Sequence, residues 1–523
     1  MDNDLRLQEQ VERWLAEHGR GAYLVGGCIR DRLLGRVVYD LDVVAATGGL
    51  SLARLLADRF GGDYYPLDEA RGTGRAMLRT ADGGRLIIDV SELRGPDLEA
   101  DLADRDFTIN ALAEDPRAPG AVIDRFHGLD DLRAGVIHPV GPLSIRNDPL
   151  RALRAVRLAA ELGFTLSPQT EELIRQDGAG LARVSGERIR DELSRILLTP
   201  RSASSLGQLD GLGLLTIVFP ELEPLRGMEQ PSPHYLEALA HSLETVHALE
   251  GIVARLAYPP SVSPETNARS EPRLGAGPSE LPERLVPRLR EHLEQRLGDA
   301  RPRLVTLKLA ALLHDAGKPS ARGIDPEGRL RFIGHEKQSA VIVANVMRRL
   351  RFAGSEARLG EAIVRHHMRP LLLAGPGPAK VTGEVRSGRS GEDAAQEVSS
   401  RAIYRFFRDT EGAGVDILLH GMADHLATYR PGSGDEAWQR LIDLTARMLS
   451  DYWERRAERV APLRLLDGHD LQRELGLSPG RHVGELLEAV REAQVSGEVH
   501  SREEALELAR CLLRQTADRI ADA

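Results

Sequence analysis

The spacing of apolar positions along the chain changes character near Gly141. Before it, short alternating stretches interleave with short helical ones. Residues 11–19 read as a helix, 22–25 as a strand entering a Gly-Gly turn, 29–34 as a helix, 37–44 as a second strand and 50–60 as a helix. Residues 74–78 and 85–90 pair as strands around Asp82-Gly83-Gly84. From Asp148 onward the period is helical: 148–162, 168–177, 185–198, 234–257, 303–315, 335–351, 358–367, 402–428, 436–458 and 501–520. Two stretches resist packing and read as disordered loops, the proline-rich 258–284 and the Gly-, Ser- and charge-rich 375–398. There is no internal repeat and no heptad array.

Composition narrows this picture. At about 150 residues per domain, 523 residues imply roughly three or four domains, which excludes a single small binding module. Aromatic residues are 4% against 42% hydrophobic overall, so the cores are aliphatic and mainly helical. No apolar run is long enough for a membrane helix. The acidic start, Met1-Asp-Asn-Asp, has neither half of a signal peptide, and Cys28 and Cys511 make no disulfide framework. The expectation is a cytoplasmic protein that does not engage a membrane. A net charge of −10 argues against a wholesale polyanion binder but leaves room for a local basic groove.

Chemistry concentrates first in AYLVGGCIRDRLLGRVVYDLDVV, residues 22–44. A strand ending in Gly26-Gly27 at a helix start lets backbone approach a phosphate closely, with Arg30 and Asp31 in the first turn. Asp40 and Asp42 flank Leu41 on the next strand, so a period of two puts both carboxylates on one face. Facing a phosphate-binding turn they would repel unless a divalent metal sat between them, which is the requirement of two-metal nucleotidyl transfer. A Gly-Gly pair alone is commonly only a turn, and Asp-x-Asp commonly a solvated strand edge; the conjunction is what carries weight.

This segment resembles the active-site motif of polymerase-β-like nucleotidyltransferases, specifically the bacterial class II tRNA CCA-adding enzyme and poly(A) polymerase family. The resemblance runs over roughly residues 20–225. Asp104-Arg105-Asp106-Phe-Thr-Ile-Asn110 is similar to the family's Arg-Arg-Asp-x-x-x-Asn motif, with Asp104 in place of the first arginine. It implies that Arg105, Asp106 and Asn110 contact the nucleotide, Asp106 and Asn110 from one helical face toward the ribose. Phe126–Leu132 resembles the hinge motif. Asn147-Asp148-Pro-Leu-Arg151 resembles the Glu-Asp-x-x-Arg base-selecting motif, its leading Glu replaced by Asn147. Three apart on a helix, Asp148 and Arg151 face the same way. The carboxylate accepts from cytosine N4 or adenine N6, and the guanidinium donates to the adjacent ring nitrogen; guanine and uracil oppose both. Arg154, Arg157 and the segment Glu187-Arg188-Ile-Arg190 continue a basic helical surface suited to RNA.

A second cluster spans 234–430. Leu313-His314-Asp315-Ala-Gly-Lys318 closes an aliphatic helix and offers an imidazole nitrogen and a carboxylate to a metal. With His241, His335, His366-His367 and Asp424 in this order, it resembles the HD phosphohydrolase superfamily. The resemblance implies His241, His314, Asp315 and Asp424 as ligands, with His335 and His367 added in members that bind two metals; of the doublet, His367 is favoured.

The fold class expected is α+β: a polymerase-β-like mixed-sheet nucleotidyltransferase head at 1–145, a helical neck and RNA-binding body at 146–230, an all-α HD domain at 231–430, and a C-terminal helical region at 431–523 of unassigned role. The function implied is a tRNA 3′-end nucleotidyltransferase adding C and A from CTP and ATP, with Mg²⁺ in the head and a divalent transition metal or Mg²⁺ in the HD domain. Alternatives are a CC-adding enzyme, a poly(A) polymerase, or a phosphohydrolase with an inactive head. Full CCA enzymes carry a long flexible loop ahead of the Arg-Asp motif. Here only SELRGPDLEADLA separates Val90 from Asp104, a shortness that resembles CC-adding relatives. Oligomeric state is left open.

Overall fold

A computed structural model describes residues 2–80, 83–257, 281–298, 301–375, 398–430, 433 and 435–521. Most of the two expected disordered stretches lies outside these described residues. The chain forms two compact units, residues 1–199 with 205–218, and residues 200–204 with 219 onward. Among the described residues no helix is long and apolar enough to cross a membrane.

The first unit is built on a seven-stranded sheet. Its strands are β1 (Ala22–Val25), β2 (Asp40–Ala45), β3 (Asp63–Asp68), β4 (Thr73–Arg79), β5 (Arg85–Glu92), β6 (Leu112–Glu114) and β7 (Val122–Asp124), in the spatial order β3-β4-β5-β2-β1-β6-β7. Only β2 and β5 run parallel, so a crossover must join them, and the helix Gly49–Phe60 with β3 and β4 provides it. Alternation decides the faces of β2. Leu41, Val43 and Ala45 enter the main core with Leu24, Ile29, Leu56, Ile88 and Val90, while Asp40 and Asp42 point the other way. A smaller core on that second face, Val25, Val44, Leu102, Ala111 and Ala113, leaves the acidic end of β2 open.

Two of the expected helices differ in the structure, and helices that the sequence reading did not place also form, among them Ser202–Gly211, Val286–Glu294, Gly468–Leu475 and Arg481–Val495. The helix expected from Asp148 begins at Arg151, and Asp148 is extended (φ −143°, ψ 96°) after the short helix Ser144–Asn147. Pro149 is the reason: the residue before a proline is driven out of the helical region. The long helix expected over 402–428 is broken into Ser400–Asp409 and Gly414–Thr428, because Glu411 and Gly412 take left-handed conformations (φ 44° and 89°).

The second unit is helical among its described residues, apart from two short hairpins. Helices Arg303–Leu313 and Gly414–Thr428 are buried around nearly their whole circumference, which makes them core helices. They carry His314 and Asp315 just past one C-terminus and Asp424 near the other. Helices Gly468–Leu475, Arg481–Val495 and Arg502–Ala521 hold a separate core around Leu471, Val490 and Ala505.

Candidate functional site

The register of β2 against β5 places Asp42 beside Asp89, so three carboxylates, Asp40, Asp42 and Asp89, line one cleft. Asp89 pairs with Arg75 through two bonds of 2.7 and 2.8 Å. Burial, followed by the charges of Asp89 and Asp40, raises Asp42 to about 6 against the opposing pull of Arg105 and Arg30. Asp40 is likewise raised, by burial and then by Asp89. Clustered carboxylate oxygens that repel one another fit a hard divalent cation such as Mg²⁺. Asp89 escaped the sequence reading; an acid in mid-strand within Ile87-Ile88-Asp89-Val90 was the available signal.

The Gly26-Gly27 turn follows β1. Gly26 has φ 78°, a backbone conformation that other residues rarely adopt. Arg30 is buried; it donates to Asn110 Oδ1 (2.6 Å) and to both oxygens of Asp31 (3.0 and 2.8 Å). From Asn110 a continuous relay of bonds crosses the cleft. Asn110 Nδ2 donates to Asp106 (3.0 Å), Arg154 bridges Asp106 (3.0 Å) and Glu192 (3.2 Å), and Arg157 bridges Glu192 (2.5 Å) and Glu161 (2.6 Å). Burial pushes the Asp106 carboxyl up, but Arg154, Asn110 and the Phe107 N–H outweigh it and hold it below the usual range.

Three expectations are corrected here. Asp106 and Asn110 do not share a helical face, since only the 3₁₀ turn Thr108–Asn110 forms after extended Phe107; they meet by a direct hydrogen bond instead. Arg157 is a buried strut between two carboxylates, not part of an open basic surface. Asp148 and Arg151 do not share a helix. Arg151 is buried and donates to the carbonyls of Asp104 (2.6 Å), Arg105 (3.2 Å) and Ser144 (3.2 Å), whereas Asp148 pairs with Arg188 (2.7 Å). Gly26, Arg30, Asp40, Asp42, Asp106, Asp148, Arg151 and Arg154 all line the same cleft, whose volume is about 1380 Å³.

In the second unit His241, His314, Asp315, His335, His367 and Asp424 converge as three overlapping groups, each with its ligand atoms within 4.8 Å of one another. His367 belongs to them and His366 does not. Four imidazoles are oriented in one manner. Nδ1 of His241, His314, His335 and His367 meets the carbonyl oxygen of Ala427, Ala311, Phe332 and Val364 respectively, which turns Nε2 inward. Asp315 stands between His314 (3.2 Å) and His335 (3.3 Å), and Asp424 lies 3.1 Å from His241. Nε2 of His241 and of His335 are buried and face carboxylate oxygens without a well-directed hydrogen bond. Buried polar atoms left so are costly, and a metal at their centre would satisfy them. Burial, then His314 and His335, push His367 down to about 3, leaving a neutral nitrogen donor. Gly317 is required by packing, because a Cβ would lie 2.5 Å from the Ser339 nitrogen. His420, overlooked in the sequence, is fully buried with its ring 4.9 Å from that of His314.

Residues 22–138 match the poly A polymerase head domain, 163–225 the probable RNA and SrmB-binding site of polymerase A, and 282–405 the HD domain. The A-adding tRNA nucleotidyltransferase of Deinococcus radiodurans is 32% identical over 93% of this chain and 94% of its own. The CC-adding tRNA nucleotidyltransferase of Thermus thermophilus is 34% identical over 93% and 92%. The chain belongs to the tRNA nucleotidyltransferase family. It is an enzyme of that family with an α+β fold and an HD domain. Among solved structures, a CCA-adding enzyme complexed with CTP superposes with a TM-score of 0.60 at 21% identity, covering 96% of this chain and 95% of that one. The Thermotoga maritima CCA-adding enzyme complexed with tRNA gives 0.56 at 21%, with 96% and 95% covered. These two likenesses establish the fold. Asp104, where the resemblance implies an arginine, contributes through its backbone, accepting from Arg151.

Proposed function

We propose that the head transfers cytidylate from CTP to the 3′ end of tRNA and stops after two C residues. The observation that carries the C-only reading is the link from β5, ending at Glu92, to the helix Leu98–Ala103: only Leu93 to Asp97 lie between, with no space for a long loop. Three relatives aligned along 93% or more of this chain are named for partial addition, two for CC and one for A, which supports a division of labour.

In this reading Arg30 and the Gly26-Gly27 turn face the triphosphate, Asp106 and Asn110 face the ribose, and Asp40 and Asp42 hold Mg²⁺. When bound, Mg²⁺ neutralises phosphate charge and favours ionisation of the attacking hydroxyl. The terminal 3′ oxygen of the tRNA bonds to the α-phosphorus as the bond to the β-phosphate oxygen breaks; pyrophosphate leaves and the hydroxyl proton passes to solvent. Arg105, beside Asp42, offsets carboxylate charge in the emptied cleft. The Asn110–Asp106–Arg154 relay fixes the distance between the phosphate end and the base end.

For the second unit the reading is a metal-dependent phosphohydrolase, supported by the convergence of four buried imidazoles and two buried carboxylates. Its nitrogen-rich donor set suits a divalent transition metal better than Mg²⁺. His314, then Lys318 with its Nζ 2.5 Å away, hold the Asp315 carboxyl well below the usual range against the effect of burial.

The test is extension of tRNA lacking its CCA end with labelled CTP and ATP. Addition of two C residues and no A is expected. A completed triplet, or A added to tRNA already ending in CC, would contradict the C-only reading, and phosphate release without any extension would leave the hydrolase alone.

A further inference from the structure

The segment that leads into β2 reads Arg36-Val37-Val38-Tyr39-Asp40. Val38 packs against the main core of the head, while Val37 and Tyr39 on either side of it are 53% and 55% exposed and line the cleft that holds Asp40 and Asp42. Their backbone is held in place. The Ile87 N–H donates to the Tyr39 carbonyl (2.9 Å), the Arg36 N–H to the Asp31 carbonyl (2.8 Å), and the Arg36 guanidinium to the Glu161 carbonyl (2.8 Å). In a chain with only 4% aromatic residues, Tyr39 and Tyr65 are the two exposed Phe, Tyr or Trp side chains among the described residues, and of these two Tyr39 borders the cleft. A ring left in water gains little for the fold and suits a ligand with a flat apolar face.

The charges around the two carboxylates give the cleft a direction. The arginines that act on Asp42 are Arg105 and Arg30, on the side of the Gly26-Gly27 turn, whereas those that act on Asp40 are Arg75 and Arg195. Arg75 is bound to both oxygens of Asp89. Arg195 is 57% exposed and lines the cleft, its Nε 3.3 Å from Glu161 Oε1. In phosphoryl transfer the attacking and leaving oxygens stand in line on opposite sides of the phosphorus. With the triphosphate on Arg30 and the turn, the attacking end enters past Asp40. We propose that Tyr39 is the platform on which the last base of the tRNA stacks, with Arg195 meeting the phosphate that precedes it, so that the terminal 3′ oxygen is held at Asp40; this rests on Asp40 and Asp42 being the site of transfer. A stack, unlike a hydrogen-bonded pocket, accepts any base because each has a π-face. The reaction needs that tolerance, since each addition puts a new base at the end.

Initial-rate kinetics with labelled CTP and two substrates test this: tRNA lacking its CCA end, and the same tRNA with the base removed from its last nucleotide. The wild type is expected to lose about 10- to 100-fold in kcat/KM for the tRNA when that base is missing. Tyr39→Ala is expected to lose a similar factor on the intact tRNA, to keep a KM for CTP near the wild-type value, and to use the two tRNAs alike. Tyr39→Phe keeps the ring and is expected to recover most of the loss, whereas Tyr39→Leu, apolar but not flat, is not. Arg195→Gln is expected to raise KM for tRNA and to flatten its log–log salt dependence by roughly 0.7, one phosphate contact, while the preference for the base is kept. A wild type that uses both tRNAs equally, or a Tyr39→Ala enzyme that discriminates between them as the wild type does, would overturn the inference. So would a raised KM for CTP with KM for tRNA unchanged, which would assign the ring to the incoming nucleotide. An unaltered salt dependence in Arg195→Gln would overturn the phosphate contact. A wild type that extends neither tRNA would overturn the reading of the head beneath the inference.

Discussion

Cys28 shows what the packing of single residues around the turn demands. Its thiol is buried and is pushed up to about 11, first by burial and then by the charge of Asp42. At pH 8 an alkylating reagent is therefore expected to modify exposed Cys511 quickly and Cys28 hardly at all, as peptide mass spectrometry would report; rapid labelling of Cys28 would mean that the turn opens. Glu192 is the second telling residue, since it alone neutralises both Arg154 and Arg157. Glu192→Gln is expected to cost about 3 kcal/mol in denaturant unfolding, because two guanidinium groups lose their shared counter-charge in a mostly buried place. Asp40 and Asp42 were legible in the sequence because their spacing is local. Asp89 was not, because a parallel pairing set by the whole sheet brings it beside Asp42. His420 was hidden for the same kind of reason: it stands one turn before Asp424 and meets His314 only through helix packing.

Some elements were read close to their bounds, some failures sit where one residue overrides the pattern, and helices such as Gly468–Leu475 and Arg481–Val495 were not read at all. The helix Pro168–Asp177 and strands β1, β4 and β5 lie close to where apolar spacing put them. Strand β3, with a mostly exposed Tyr-Tyr-Pro-Leu sequence, carries no alternation to find. Pro149 cuts the helix that periodicity extends to Asp148, and that cut aims Asp148 at Arg188. Pro149→Ala is accordingly expected to let residue 148 rejoin the helix, weaken its bond to Arg188 and, since Asp148 lies in the segment that resembles the base-selecting motif, lower the ratio of C to U incorporated several-fold. An unchanged ratio would show that the proline does not set the direction of Asp148.

At the scale of the molecule, two chemically distinct clusters are built in two separately packed units. Carboxylate oxygens gather at Asp40, Asp42 and Asp89, and imidazoles with two carboxylates gather around Asp315. Their independence gives a clean expectation. Asp315→Asn removes the carboxylate between His314 and His335 and should lower bound transition metal, measured by elemental analysis, while CTP incorporation stays at the wild-type rate. Loss of incorporation in that variant would contradict a two-site enzyme. The division was legible early because each cluster carries its own ordered motif; the direction of Asp148 and Arg151 was not, since it depends on the turn at Pro149 and on tertiary contacts. The central claim is that the oxygens of Asp40 and Asp42 carry the transfer. Single-turnover incorporation of labelled CTP into tRNA lacking its end, with Mg²⁺ present, tests it in Asp42→Asn against the wild type. The account predicts incorporation reduced to background with the metal content of the histidine cluster unaltered. Incorporation at an undiminished rate would contradict it.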